Sequence, residues 1–316
     1  MEVRKRDVAV DFVKFIATIL VLNSHMGVCY GEYSALATGG GIGDALFFFI
    51  SGFTLFMGKK LGFADWYKRR ISRIYPAILA VGIAACLVFN KDYTFMEVMF
   101  AGRYWFLQCI LISYLLLFPI IKYNWNLKVF IPLSLISLIT IYPFFDFNGA
   151  MFYGVDNYYR WIFFFLVMLI GCGVHKIKDS VTYEWWCIPL AVVCVVAWYG
   201  ICYVTKGTWI ILSMIPLVGI CYLTYAIGKS SLIYKLYESR IYGNVLYIIG
   251  SLCLESYMIQ KYIFTDALNF LFPFNIPIIM IMVLVSAYLL HVLSATIEQI
   301  FDSKPFNWKT LFLYKK

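Results

Sequence analysis

Charged side chains are scarce in this sequence. Asp, Glu, Lys and Arg make up 14% of its 316 residues, whereas hydrophobic residues make up 63% and aromatic residues 20%. A soluble domain carries about 25% charged residues. The shortage of charge therefore excludes an ordinary soluble fold and predicts an all-α integral membrane protein.

Polar linkers are missing as well. No Pro-, Gly- or Ser-rich stretch is long enough to connect a separate soluble domain, and no internal repeat is visible. We therefore expect one membrane domain over residues 1–316, a bundle of about ten transmembrane helices, since about 20 apolar residues cross a bilayer. The predicted spans lie near residues 8–30, 42–58, 74–90, 104–122, 127–145, 161–175, 185–204, 208–228, 241–264 and 274–301.

The nine cysteines show no regular spacing. Their number is odd, and they are scattered through apolar segments. Neither a disulfide framework nor a metal-binding motif has this pattern. We interpret the cysteines as packing residues and expect no metal.

The net charge of +9 follows the predicted topology. If the N-terminus is cytoplasmic, 20 of the 26 Lys and Arg residues fall inside and two within spans; the four outside are Lys91, Arg103, Arg160 and Lys206. This bias is typical of membrane proteins and places both termini in the cytoplasm. It also explains the basic excess without nucleic acid. The first span lacks a clear cleavage site, so we expect it to be retained.

The first span carries a polar stripe. At 100° per residue, Asp7, Asp11, Lys14, Thr18 and His25 fall within about 60° of one another on an otherwise apolar helix. Ionisable residues at this depth are costly and should face the protein interior or a water-filled cavity.

Two interpretations of the stripe stay open. In the structural one, Asp7 and Asp11 lie at the cytoplasmic mouth, Lys14 reaches the interface and His25 is an interior hydrogen-bonded histidine. In the functional one, His25 is a general base, because imidazole titrates near neutral pH. Lys14 and His25 lie about 16 Å apart along the helix axis, so a substrate between them would be long or thin.

The stretch GGGIGDALFFFISGFTLF, residues 39–56, places Asp44 at the start of an apolar run that Ser51 and Gly52 interrupt. Gly52 can allow two helices to approach closely, which is a packing interpretation. We also predict that Asp44 and Ser51 bind substrate.

Arg70 and Arg73 lie in the basic stretch FADWYKRRISRIYP, residues 63–76, which we expect to join two spans on the cytoplasmic side. Basic residues there can fix topology or contact anionic lipid. However, residues three apart are neighbours on a helix face, and two guanidinium groups match phosphate geometry. The stretch therefore also indicates a site for a phosphate-rich ligand. Pro76 is expected to fix a turn or kink at the membrane entrance.

Two later stretches supply further candidates. RYWFLQCILISYLLLFPII begins with Tyr104 and Trp105, which are typical of an interfacial belt and can also stack on sugars. GSLCLESYMIQKYIF places Glu255 inside a predicted span. A buried carboxylate is protonated, paired or functional. We expect Glu255 to be functional or to pair with the first-span stripe.

The order of these features resembles the membrane-bound acyltransferase 3 family, the integral-membrane O-acyltransferases of bacterial surface glycans. The resemblance covers nearly the whole chain. It rests on five stretches in the family's order: DFVKFIATILVLNSH, DALFFFISGF, RRISRIYP, YWFLQ and SLCLESYMIQ.

The resemblance implies a multi-pass protein of the bacterial inner membrane. Its expected reaction moves an acyl group, in the first place acetyl, from cytoplasmic acyl-CoA to a hydroxyl of a cell-surface polysaccharide or lipid-linked glycan. Acetyl-CoA or another acyl-CoA would be the co-substrate, and the glycan or glycolipid acceptor and membrane lipids the partners. The oligomeric state stays open, a homo-oligomer included.

Carried over by position, the resemblance assigns His25 as general base or transient acyl carrier, and Arg70 and Arg73 as the CoA-binding pair. Lys14 matches the basic partner of that histidine, with an implied role in catalysis and in binding CoA, although the family more often has Arg there, which makes a bidentate contact that Lys cannot. Gln260 stands where the late segment commonly ends in His. As hypotheses, Asp11 orients Lys14, and residues of several segments bind the acceptor or the developing oxyanion: Asp44, Ser51, Trp105, Glu255 and Tyr257.

The alternative function is a multispan transporter or flippase of lipid-linked sugars. It also needs many helices and charges within the membrane. Such proteins are often built from paired repeats with short broken spans in matching halves, and the sequence shows none. We therefore favour the acyltransferase.

Overall fold

A computed structural model describes residues 6–56, 61–145, 158–205, 210–301 and 305–313, and within these ranges every regular element is helical. The all-α prediction is confirmed. The α-helices are α1 Val8–His25, α2 Gly27–Tyr30, α3 Gly40–Phe56, α4 Phe63–Leu87, α5 Phe95–Met99, α6 Trp105–Lys122, α7 Leu127–Ile141, α8 Tyr159–Lys176, α9 Cys187–Thr205, α10 Met214–Gly228, α11 Ser231–Glu238, α12 Arg240–Ser251, α13 Cys253–Ile263 and α14 Asn275–Ile300.

Eight helices of the described ranges are long and apolar enough to cross a bilayer. A ninth span is reached if Gly27–Leu36 and Gly40–Phe56, which meet at 102°, count as one bent span. In the spans that contain α7 and α9, only 11% of the residues are buried within the protein, which leaves their apolar side chains to lipid. The chain is thus a multi-pass membrane protein, although the predicted ten spans are not confirmed.

The direction of the termini stays a prediction. Several basic residues on which that prediction depends lie outside the described residues: Arg4, Lys5, Lys59, Lys60, Lys206, Lys304, Lys315 and Lys316.

The predicted span 241–264 is two short helices. α12 ends at Ser251 and α13 begins at Cys253, and Leu252 between them has a ψ angle of 9° instead of a helical value. Neither helix reaches the length that crosses a bilayer. The Thr18 hydroxyl of α1 lies 3.5 Å from the Ile249 carbonyl oxygen beside this break. Glu255 therefore lies in the first turn of α13 and not in the middle of a continuous span.

The basic stretch 63–76 is the first half of a helix. α4 starts at Phe63 and continues through Pro76 to Leu87, so the stretch that was expected to join two spans is continuous with the helix that follows it, and Arg70 and Arg73 share that helix as expected. Proline removes one backbone hydrogen bond from a helix interior. Membrane helices tolerate this loss where neighbouring groups satisfy the freed carbonyl.

Clustering of backbone contacts divides the chain into two compact units. Unit 1 is Met1–Lys14, Asp44–Lys60 and Ser113–Tyr242, and unit 2 is Phe15–Gly43, Leu61–Ile112 and Gly243–Lys316. The prediction of one domain over residues 1–316 is not tested by this division.

Within unit 1, α3 and α8 cross in backbone contact. A Cβ atom on Gly52 would lie 1.9 Å from the Met168 carbonyl oxygen, and one on Gly171 would lie 2.0 Å from the Phe49 carbonyl oxygen. Only glycine fits at both positions. The close approach predicted for Gly52 is confirmed.

Aromatic rings fill the space around this crossing. Phe48 stacks on Phe164 with ring centroids 4.8 Å apart, and Phe53 packs against Tyr225 at the same separation. The phenylalanine run of α3 is therefore core.

Within unit 2, α4, α13 and α14 pack on one another. Each of the two long helices, α4 and α14, buries a row of residues at four-residue spacing, as a helix face against a neighbour requires. The fully buried rows are Ala77, Val81 and Ala85 on α4, and Ile279, Val283 and Ala287 on α14.

We predict that Gly52→Ala destabilises the protein by about 1–3 kcal/mol or more, because the new methyl group overlaps a carbonyl oxygen of α8. Thermal unfolding in detergent measures the change. Gly200→Ala on α9 is the matched control, since nothing lies within 4 Å of its added Cβ. Equal loss in both variants would contradict the prediction.

Candidate active site

His25 is the last residue of α1, and the chain is tied down directly after it. The Met26 N–H donates to the Asn23 carbonyl at 3.1 Å. The Asn23 side-chain amide donates to the carbonyls of Leu36 and Thr38 at 2.9 and 3.0 Å. These bonds fix the end of α1 and, with it, the backbone of the histidine.

Two more side chains reinforce this turn from other elements. The Tyr30 hydroxyl donates to Asn23 Oδ1 at 2.6 Å, and the Asn275 amide of α14 donates to the Cys29 carbonyl at 2.7 Å. The segment after His25 is thus anchored on both of its sides.

The His25 imidazole is exposed and faces an aromatic cluster. Its ring centroid lies 6.4 Å from that of Tyr257 on α13. Tyr257 in turn lies 5.6 Å from Phe106 and 5.9 Å from Tyr104, and Trp105 meets Phe106 edge-on at 5.9 Å. We call His25, Tyr104, Trp105, Phe106 and Tyr257 the His25 cluster. It brings together three of the predicted site residues, His25, Trp105 and Tyr257.

Glu255 pairs with a histidine that the sequence analysis missed. Its Oε1 lies 2.9 Å from Nδ1 of His291 on α14. Glu255 Oε2 is buried and has no hydrogen-bond partner among the described residues. The expected partner from the first-span stripe is therefore replaced by His291. His291 could have been found from the sequence, because it is an ionisable residue within an apolar run, and Glu255 was selected for that same reason.

Asp11 lies in a hydrogen-bonded group in unit 1. Arg6 donates to both of its carboxylate oxygens, at 2.5 and 2.9 Å, and the Tyr237 hydroxyl donates at 2.8 Å. Lys14 is half-buried one turn further along α1. The predicted role of Asp11 in orienting Lys14 stays a prediction, and its observed partners are a tyrosine and an arginine.

Asp44 and Ser51 lie two turns apart on one face of α3, and both are half-buried. Asp44 interacts electrostatically with Arg160 on α8. Arg160 is only 1% exposed, although the sequence analysis assigned it to an external segment. The opposite charge of Arg160 offsets part of the cost of removing the Asp44 carboxylate from water. Arg160 is therefore an electrostatic partner of Asp44 within unit 1.

Arg70 and Arg73 are neighbours on the first half of α4. The Arg70 guanidinium lies 5.1 Å from the centroid of the Trp66 ring, and Arg73 is exposed. A cation held over an indole ring keeps its donors in a fixed direction. The pair therefore consists of one guanidinium oriented by an indole ring and one exposed guanidinium.

The predicted residues thus divide between the units. Arg70, Arg73, Trp105, Glu255, Tyr257 and His25 lie in unit 2, and Asp11, Lys14, Asp44 and Ser51 in unit 1. Among the described residues, no group of three or more His, Cys, Asp or Glu side chains could hold a metal ion.

A family model described as an acyltransferase domain matches residues 7–294. The match covers both units and every predicted site residue, so the protein is a membrane acyltransferase. The chain belongs to the acyltransferase 3 family. Comparisons with curated proteins and with solved structures gave no match.

We predict that His291→Ala lowers the free energy of unfolding by about 1–3 kcal/mol, because Glu255 would be left buried without its partner. Thermal unfolding of His291→Ala, Glu255→Gln and the double variant forms a double-mutant cycle. Strict additivity of the two changes would show that the pair does not stabilise the fold.

Proposed function

We propose that this acyltransferase moves an acyl group, in the first place acetyl, from acyl-CoA to a hydroxyl of a cell-surface polysaccharide or lipid-linked glycan. The observation that carries the proposal is the exposed imidazole of His25 at the fixed end of α1. An accessible imidazole supplies the base that a sugar hydroxyl needs, because the hydroxyl is a weak nucleophile until its proton is removed.

The acyl group can be transferred by either of two reaction routes. In the direct route, His25 takes the hydroxyl proton, the oxygen attacks the thioester carbonyl, and the thiolate of CoA leaves and recovers the proton. In the two-step route, the imidazole nitrogen attacks first, CoA leaves, and the hydroxyl then displaces the acyl group from His25. Both routes end with an ester and free CoA.

The donor would bind through α4 and α1. Arg70 and Arg73 present two guanidinium groups for the CoA phosphates. Lys14 and His25 lie on one continuous helix, about 16 Å apart along its axis. The thin pantetheine arm of CoA suits that length, with Lys14 beside it and the thioester at His25.

The acceptor would bind at the His25 cluster. Flat aromatic rings stack on the apolar faces of sugars. Tyr257 provides such a ring beside the imidazole, and Trp105 provides another that contacts Phe106 of the same cluster. The predicted substrate-binding role of Asp44 and Ser51, which lie in unit 1, stays a prediction. With both termini in the cytoplasm of a bacterial inner membrane, α1 would end on the outer side, where surface glycans lie.

His25→Ala should lower the rate of esterification by at least about 100-fold, the usual minimum contribution of a general base. The measurement uses membranes that contain the protein, labelled acetyl-CoA and the surface glycan of the source cell, with base-labile label in the glycan as the product.

His175→Ala is the matched control. It removes an imidazole that packs on Phe53 and Phe56 in unit 1. This variant should keep its activity per amount of folded protein. If wild type forms no labelled ester, or if His25→Ala retains it, the proposed reaction is wrong.

Arg73→Ala should raise the KM for acyl-CoA about tenfold, since one charged hydrogen bond to phosphate is lost. The kcat should change little, because the phosphates do not react. Steady-state kinetics with varied acyl-CoA measure both constants.

Lys68→Ala controls for loss of a positive charge on α4. Lys68 is exposed and lies about 140° around the helix from Arg73. It should leave the KM unchanged. An unchanged KM in Arg73→Ala would remove its phosphate-binding role.

A further inference from the structure

Lys261 lies one helical turn after Tyr257 on α13, and its ammonium group is exposed. The nitrogen lies 4.6 Å from the ring centroid of Tyr104 and 5.0 Å from that of Tyr262. A cation over two aromatic faces is held in place by the electron density of the rings. The ammonium is therefore oriented while it stays accessible.

No carboxylate among the described residues forms an ion pair with Lys261. Glu97, an acid of the segment that precedes α6, is already paired, because Arg103 donates to its two oxygens at 2.6 and 3.1 Å. Hydrogen bonds from Arg103 and from the Thr94 backbone lower the pKa of Glu97 to about 2. Its charge is thus present and compensated at neutral pH, whereas Lys261, whose side chain is hydrogen-bonded to Tyr262, has no carboxylate in an ion pair with it in the part of the chain that the structure describes.

The rings beneath the ammonium are fixed by a hydrogen-bonded tyrosine group. The Tyr93 hydroxyl lies 2.9 Å from the hydroxyls of both Tyr104 and Tyr262. Tyr104 also donates to the Met258 carbonyl at 3.3 Å. An ordinary surface lysine, whose ammonium is simply hydrated, does not lie over hydrogen-bonded aromatic rings of this kind.

Tyr104 connects this support to the His25 cluster. The Tyr104 ring contacts Tyr257, which in turn faces His25. The Lys261 ammonium lies over the same Tyr104 ring. On α13 the backbone positions of Tyr257 and Lys261 are about 6 Å apart along the axis. A glycan whose hydroxyl reaches His25 and whose sugar lies on Tyr257 would therefore pass the ammonium.

We propose that Lys261 forms an acceptor subsite for an anionic group of the glycan, a sugar carboxylate or a phosphodiester. This inference rests on the proposed function, because only that function makes the bound glycan the acceptor of the acyl group. The positive charge would select acidic glycans over neutral ones, and the aromatic rings would hold the sugars next to it.

Binding in the absence of acyl-CoA tests the subsite. The protein is placed in nanodiscs of phosphatidylcholine, and labelled oligogalacturonate and poly(glycerol phosphate) serve as carboxylate and phosphodiester probes. Carboxyl-reduced oligogalacturonate is the neutral control. At least one anionic probe should bind more tightly than the neutral one, and more weakly as salt is raised.

Lys261→Gln should weaken binding of that probe about three- to fivefold, the usual effect of losing one exposed charge pair. Lys261→Arg should restore it. Lys91→Gln, which removes another exposed lysine of unit 2, should have no effect, and unchanged thermal unfolding should show that each variant is folded.

The proposal is overturned if neither anionic probe binds more tightly than the neutral one, or if Lys261→Gln binds like wild type. Retention of phosphatidylglycerol is measured in a second set of nanodiscs that contain it, and the proposal is also overturned if Lys261→Gln alters only that retention, because the ammonium then serves a lipid headgroup. Failure of the acyltransferase proposal looks different. In that case labelled acetyl-CoA yields no His25-dependent ester, whatever the probes do.

Discussion

A charge placed among apolar helices needs a partner, and this constraint organises the polar residues of both units. In unit 1, Asp11 is bonded to Arg6 and Tyr237, and Asp44 interacts with Arg160. In unit 2, Glu255 is bonded to His291. Each of the three acids has a partner that lies far from it in sequence, namely Tyr237, Arg160 and His291, so each contact also links the segments that carry it. These acidic side chains therefore stabilise the packing of the helices, whatever part they also take in chemistry.

His25 and Lys261 differ from these acids because their polar ends are exposed. Both are nonetheless held in place: the Asn23 bonds fix the backbone after His25, and the tyrosine rings hold the ammonium group of Lys261. A fixed backbone with an accessible side chain is the arrangement that a reactive or substrate-binding group requires. The contrast between paired acids and accessible bases separates the polar residues that link helices from those proposed to contact substrates.

Composition and hydropathy were enough to predict a helical membrane protein, and the motif order was enough to predict the family. Helix boundaries were less predictable: α4 continues through Pro76, and one ψ angle at Leu252 splits an apolar run into two helices. A hydropathy profile is averaged over about 20 residues, so it shows neither the continuation of a helix through one proline nor a break at one residue. The polar stripe of the first span identified His25 as a candidate. Its contact with Tyr257 and the bond between Glu255 and His291 could not be predicted in this way, because they join residues far apart in sequence. Such pairings depend on how helices pack, which a single sequence does not specify.

The Asn23 bonds have a consequence for how this enzyme can diverge. They close the turn after His25 through backbone carbonyls, so the side chains at Leu36 and Thr38 can change without breaking them. The rings and the lysine that are proposed to bind the acceptor lie instead on α13 and on the segment that enters α6. Substitutions in those two places can therefore shift acceptor preference during evolution while the turn that holds the imidazole is inherited unchanged.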